Sequence, residues 1–368
     1  MTLVVDLPFY NTDDESLAGF KLDCFTLLAN QQPAHSFIFI LPRNSKIKIN
    51  NTGHLQRFAI KPTNKNIFTR FYWNKILLPA FLKKHQASYF FTDQPLDNLD
   101  AQIKQCFFIN PTKLFKENFA IQSSKLNKLK KHFEKTALLI CSSEYIKKSI
   151  ATVIPFTQQK NMVIPPGVSP VSQWLSNIQT EEIKNEVAGG TDYFVFYAVD
   201  TAIDSIKTVL KAFSLFKSWQ RSSMKLVVFL SSKQQAPFEQ LILHYKYEKE
   251  VTPLFIPNNE KLMQICSVAY AVLFFPQPFS LKKPLLDCMQ LNTPVILSHH
   301  EFYQSILGNS VLYSKLDDKA ISEKMSLLYK DENLRNAHII LAKEWAQKNE
   351  WSEIAKKLWT AINTSTET

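Results

Sequence analysis

Lys282 and Lys283 stand immediately before Pro284, a residue suited to opening a helix. Two cations there can hold phosphate, or they can simply decorate a solvated loop. His299-His300-Glu301 sets metal-binding residue types side by side. Adjacent strand positions point to opposite faces, so a shared ion is not expected and no metal is predicted. Lys125, Lys128, Lys131 and Lys135 line one face of a helical pattern whose other face is Leu126, Leu129 and Phe133. Lys113, Lys116, Lys147 and Lys148 lie close by in sequence, and His132, inside the basic pattern, is expected at the surface. Such a stripe suits phosphate, whether on a nucleic acid, an anionic membrane face or a substrate, and suits plain solvation equally. No RRM, zinc-finger or helix-turn-helix signature accompanies it, which counts against nucleic acid. Ser-His-Asp spacing, a P-loop and HExxH are absent, and no two carboxylates are paired for acid–base work.

The elements that must position these residues belong to a chain of 368 residues with only 6 glycines. At usual abundance a chain this long carries roughly 26, so Gly-rich phosphate loops, collagen and flexible low-complexity segments are excluded. The length predicts two domains. Net charge is +11, and residues 1–168 hold 22 basic against 11 acidic residues, while the rest of the chain balances at 21 each. That asymmetry points to an anionic partner for the first half, or to a Lys-rich solvated surface. Five separated cysteines without CxxC spacing read as buried thiols. The start, MTLVVDLPF, lacks a basic n-region, and no apolar run approaches the roughly 18 residues of a spanning helix; a cytoplasmic protein is expected.

Short apolar runs alternate with longer amphipathic segments. Strands are predicted at 3–6, 36–41, 88–91, 105–109, 137–141 and 162–164, then at 193–198, 225–230, 252–256, 270–275, 293–297 and 311–313. Runs apolar on both faces suit parallel sheets covered by helices. Ile206, Val209, Leu210, Phe213 and Phe216 make a helical stripe with Lys207, Lys211 and Lys217 outside it. Trp351, Ile354, Ala355, Leu358, Trp359 and Ile362 make another. The pattern predicts two doubly wound α/β domains, divided near Pro165-Pro166-Gly167.

Several segments, in order and across most of the chain, resemble the retaining, nucleotide-sugar-dependent glycosyltransferases of GT-B fold (family 4-like, group 1). They are Thr69–Phe91, Leu138–Ile150, NMVIPPGV (161–168), Tyr193–Phe216, LLDCMQLNTPVILS (285–298) and EWSEIAKKLWTAI (350–362). The resemblance implies two Rossmann-like domains facing a cleft: residues 1–168 on the acceptor side and 169–349 on the donor side, with 350–368 crossing back as a helix. It implies a nucleotide-sugar co-substrate, no resident cofactor, and a glycan or lipid-linked acceptor.

The departures fall on the chemistry. The family's donor domain opens with Gly-Arg/Lys after its first strand, where this chain has Ala198 and Val199, with Asp204 near the expected cation. Of the family's two glutamates seven residues apart, Asp287 stands at the second and Phe279 at the first, with Ser280 and Lys282 at the glycines. Asp287 is then either a ribose ligand or an ordinary helix residue, and Ser280, Lys282 and Lys283 are the remaining donor-loop candidates. The strand ending in Asn110-Pro111 lacks the family's His-Asp pair, and Asp6-Leu7-Pro8-Phe9-Tyr10 stands where a glycine loop is usual. Catalytic residues are not assigned. Two readings follow: a glycosyltransferase, or an inactive homologue that binds or scaffolds a partner glycosyltransferase.

Overall fold

The computed structural model describes all residues except 8–14, 46, 48, 50, 63–65, 95, 97, 116–122, 171–174, 256–257, 278 and 365–368. The chain divides into two compact units: Met1–Gly167 with Asn349–Thr368, and Val168–Lys348.

The first unit is built on seven parallel strands: β1 (Thr2–Asp6), β2 (Ser36–Pro42), β3 (Leu55–Lys61), β4 (Tyr89–Thr92), β5 (Lys104–Phe108), β6 (Leu138–Cys141) and β7 (Asn161–Val163). Their order is β3-β2-β1-β4-β5-β6-β7, so the winding reverses between β1 and β4. Alternation along each strand feeds two cores. Leu3, Val5, Phe37, Phe39, Phe91 and Phe108 meet the Glu15–Gln31 helix on one face. Val4, Ile38, Ile40 and Phe90 meet Trp73, Leu78 and Leu82 on the other. β3 escapes the sequence reading because it is an edge strand with a half-exposed, mixed sequence rather than an apolar run.

The Trp351–Thr364 helix closes this unit, burying Ile354, Leu358 and Ile362 against the β1 core, and its Ile362 carbonyl accepts from Tyr89 Oη at 3.2 Å. Trp351 packs edge-on against Phe20 with centroids 5.5 Å apart. Gly167 makes this possible: a Cβ there would lie 2.5 Å from Trp351 Cε3.

The second unit has six parallel strands, β8 (Tyr193–Tyr197), β9 (Lys225–Leu230), β10 (Val251–Phe255), β11 (Ala271–Phe274), β12 (Val295–Ser298) and β13 (Leu312–Ser314). The order is β10-β9-β8-β11-β12-β13, with reversal between β8 and β11. β10 carries Pro253 and lies at the edge, where a missing donor is tolerated. The Ile203–Gln220 helix buries its predicted stripe, but Lys217 is buried with it. The helix ends at Arg221 in left-handed conformation, and the returning chain brings the carbonyls of Ser222 and Met224 onto the Lys217 ammonium, which also pairs with Glu250.

Candidate functional site

In doubly wound sheets the ligand crevice lies at the carboxyl ends of the strands where the winding reverses. In the second unit two loops flank that point. After β8 the chain runs Ala198 to Ala202, with Asp200 at φ 60°. The buried Gln234 amide pins this loop, donating to the carbonyls of Ala198 and Thr201 at 2.7 Å each. After β11 the loop 275–282 is pinned by the buried Tyr303, whose hydroxyl donates to the carbonyls of Gln277 at 3.0 Å and Ser280 at 3.2 Å. The Ser280 amide donates to Gln277 O, so Ser280 shapes the loop through its backbone.

One ion pair spans the two loops: Lys282 Nζ to Asp200 Oδ2, 3.1 Å. Lys283 lies beside it and reaches along its own helix, Lys283–Cys288, to both carboxylate oxygens of Asp287 at 2.9 Å. The helix is too short to offer much of a dipole; what the loop presents is two ammonium groups. As drawn, two lysines and two aspartates cancel, and the exposed Asp204 adds a negative charge at the start of the Ile203–Gln220 helix. The Lys282–Asp200 pair is cheap to open, whereas Lys283 holds a buried carboxylate, Asp287, that needs another partner if the lysine leaves. The Asp200 side chain is 62% exposed, and exposed pairs contribute about 0–1 kcal/mol. A phosphate oxygen could therefore take Lys282 from Asp200.

Phe279, at the place of the family's first glutamate, turns away from such a role. It is buried at φ 65° and packs edge-on against His300 and Phe302, with centroids 5.7 and 5.4 Å away. An aromatic residue held at positive φ costs on the order of 1–3 kcal/mol, which the surrounding packing must offset. His299 and His300 diverge. The His300 Nδ1 accepts from the Phe302 amide at 3.0 Å and caps the Glu301–Leu307 helix, while His299 Nε2 lies 3.4 Å from the Gln304 side-chain nitrogen. Burial lowers the His300 pKa, which keeps Nδ1 free of a proton and able to accept. Among the described residues no group of three His, Cys, Asp or Glu side chains is placed to hold a metal ion.

The first unit carries a second polar cluster at its own reversal point, and the sequence reading missed it. Asp6 ends β1, Lys61 ends β3, and Asp93 follows β4. Lys61 Nζ meets Asp6 Oδ1 at 2.8 Å and the Leu7 carbonyl at 3.1 Å. Lys21, from the Glu15–Gln31 helix, meets Asp93 Oδ1 at 2.8 Å and the Asp6 carbonyl at 3.0 Å, over the Phe108 ring. All four charges are buried, so the crevice end of this sheet is filled by the protein's own neutral network. A signal existed: Lys21 falls among Phe20, Cys24, Phe25 and Leu28, on the helix's apolar stripe.

The Ser123–Lys135 helix carries the basic stripe. Lys131 and Lys135 are exposed, whereas the side chains of Lys125, Lys128 and Lys113, and Lys116 as a whole, lie outside the described residues. Lys160 donates to the Glu134 carbonyl at 2.7 Å and so caps this helix's last turn. His132 is not a surface residue: it is fully buried, its ring 5.1 Å from Phe107, because it falls on the same face as Leu129 and Phe133. Pro8, Phe9 and Tyr10 of the first loop lie outside the described residues.

Residues 177–345 match the family Glycosyl transferases group 1. No curated protein sequence matches the chain significantly. Among solved structures, a glycosyltransferase from Rickettsia africae superposes with TM-score 0.76 at 12% identity, covering 100% of this chain and 99% of that one. HepE from Anabaena, in complex with UDP and glucose, gives TM-score 0.70 at 11% identity over 98% and 99% of the two chains. Sucrose-phosphate synthase from Thermosynechococcus elongatus gives 0.70 at 14% identity over 100% and 99%. The chain thus has the GT-B fold, and residues 177–345, within its second unit, match the model of the glycosyl transferases group 1 family.

Proposed function

We propose that this glycosyltransferase-like protein binds a nucleotide-sugar at the β8/β11 reversal point and transfers the sugar to a glycan or lipid-linked acceptor held by the first unit. The observation that carries this reading is the pair Lys282 and Lys283, set at the crevice by a pinned loop, with Lys282 restrained by the exposed Asp200 carboxylate and the half-exposed Lys283 by Asp287. On donor binding Lys282 leaves Asp200 for the diphosphate, and Lys283 follows, which frees Asp287 to accept from a ribose hydroxyl. Cations there also stabilise the charge that develops on a departing nucleoside diphosphate. Because HepE was solved with UDP and glucose, UDP-glucose is the first donor to try. Five free, buried cysteines suit a reducing compartment, and we place the chain in the cytoplasm.

The test is unfolding of the full chain with millimolar UDP, GDP and their sugar conjugates, followed by assay of sugar release or transfer. A ligand at 100 times its dissociation constant stabilises by roughly 2.7 kcal/mol, or about 5–11 °C for a unit of this size. No shift with any nucleotide refutes donor binding. A second reading, an inactive subunit that binds or scaffolds a partner glycosyltransferase, is favoured by Phe279, whose ring is buried where the family places a carboxylate. Nucleotide binding with no release or transfer from any donor would select it.

A further inference from the structure

Among the described residues, the stretch 67–84 leaves an apolar face uncovered. Residues 67–84 form a continuous helical stretch: Ile67–Tyr72, a π turn over Trp73–Leu77, and Leu78–Lys84. In the π turn the Leu78 amide bonds to the Trp73 carbonyl five residues back, so Trp73 and Leu78 stack toward the core together with Leu82. The opposite face is left outside, with Phe68 83% exposed, Phe71 62%, Tyr72 51%, Ile76 52% and Leu77 40%. Isolated apolar residues at a surface are ordinary; five within ten positions of one helical stretch are not.

The charges on this stretch and in the sequence leading to it are all of one sign. From Cys24 to Thr92 the chain contains no Asp or Glu and ten Lys or Arg. Arg70, Lys75, Lys83 and Lys84 lie exposed on the helical stretch itself. Aromatic and aliphatic groups outward, cations alongside and no anion within the stretch itself is the composition of a helix that lies in a bilayer interface. There the apolar face enters the acyl boundary, and Lys and Arg remain among the headgroups. No helix among the described residues is long and apolar enough to cross a membrane, so the surface can only lie on one.

We infer that residues 67–84 are a membrane-docking surface that seats the first unit on a bilayer rich in anionic phospholipid. The basic Ser123–Lys135 helix, with Lys131 and Lys135 exposed, offers charge but no comparable exposed apolar group among its described side chains, so insertion belongs to 67–84. The inference stands apart from donor binding, which resides in the other unit.

The test is flotation of the full-length chain with vesicles of phosphatidylcholine alone and of phosphatidylcholine mixed with phosphatidylglycerol, at low and high salt. Binding is expected to the mixed vesicles only, and to weaken with salt. Phe68→Glu/Phe71→Glu should weaken it at least about tenfold, and Lys83→Gln/Lys84→Gln about fivefold per charge removed. Both pairs are exposed, so unfolding temperatures should stay at the wild-type value. For insertion itself, Phe71→Cys offers one reactive thiol, since all five native cysteines are buried, and a polarity-sensitive dye there should shift to the blue with mixed vesicles. Equal binding to neutral vesicles, or no binding, overturns the inference. So does loss of binding through Lys131→Gln/Lys135→Gln with no effect of the Phe pair. Self-association abolished by Phe68→Glu/Phe71→Glu, without lipid binding, would mark the face as a contact between copies instead.

Discussion

Replacing Lys21 by Met keeps the apolar stem of the side chain and removes its charge from the core of the first unit. The ammonium lies 2.8 Å from Asp93 Oδ1 and 3.0 Å from the Asp6 carbonyl, and neither Lys21 nor Asp93 exposes any side-chain surface. At an effective dielectric of about 20, a pair this close carries a Coulomb attraction of about 6 kcal/mol, most of it cancelled by the desolvation of both ions. The pair's net contribution is therefore small, but the cost of breaking it is not. Lys21→Met takes the ammonium partner from a buried carboxylate and should destabilise the first unit by about 3–5 kcal/mol. Lys21→Met/Asp93→Leu removes both charges and should recover most of that loss, giving a coupling free energy of at least about 2 kcal/mol. Because the chain holds two units, a single unfolding curve can mix them. Hydrogen exchange followed by mass spectrometry resolves them: protection should fall in β1 and β4 and stay unchanged in β8. A loss below about 1 kcal/mol for Lys21→Met, or a double variant no more stable than the single one, would refute the reasoning.

Gly167→Ala should weaken the docking of the Trp351–Thr364 helix, because the new methyl lies within 2.6 Å of two Trp351 ring atoms; a cost of about 1–3 kcal/mol and faster exchange in 351–364 are expected. His300 caps its helix only while Nδ1 is unprotonated, and burial lowers its pKa below the usual value of about 6.5. Its contribution is therefore complete above about pH 6.5 and is lost as the pH falls through the lower folded value. His300→Asn, which keeps an acceptor that does not titrate, should flatten the acid side of the second unit's stability curve. The five thiols are buried, and burial raises the pKa of Cys141 to about 12 and that of Cys24, Cys106 and Cys288 further. A thiol reagent should therefore modify none of them in the folded chain and all of them in urea.

Most of the fold was legible because a parallel sheet buried on both faces writes its strands as plain apolar runs. β8 (YFVFY) and β9 (KLVVFL) are such runs, and so are the central strands of the first unit. β3 was not legible, since an edge strand needs only part of its surface apolar and LQRFAIK reads as mixed. Polar residues on apolar stripes were misread for one physical reason. His132 and Lys217 were assigned to the surface by residue type, yet helical position puts each among buried neighbours, where a ring contact or a set of carbonyls receives it. Lys21 follows the same rule. The donor loop was legible as a place but not as a geometry. Which carboxylate each lysine meets depends on a crossing between loops 82 residues apart, Asp200 to Lys282, and on backbone at positive φ in Asp200 and Phe279, a conformation that residue type alone would not suggest.

On this reading the β8/β11 crevice takes a nucleoside diphosphate through Lys282 once that lysine leaves Asp200. Calorimetric titration of UDP, GDP and their sugar conjugates into the wild-type chain, Asp200→Asn and Lys282→Ala tests it most directly. Measurable binding to the wild type, weaker binding to Lys282→Ala, and binding to Asp200→Asn that is tighter by roughly fivefold are expected. That last figure reflects the about 1 kcal/mol an exposed pair can hold back. Absence of binding in all three chains, or an affinity that Asp200→Asn leaves unchanged, would contradict it.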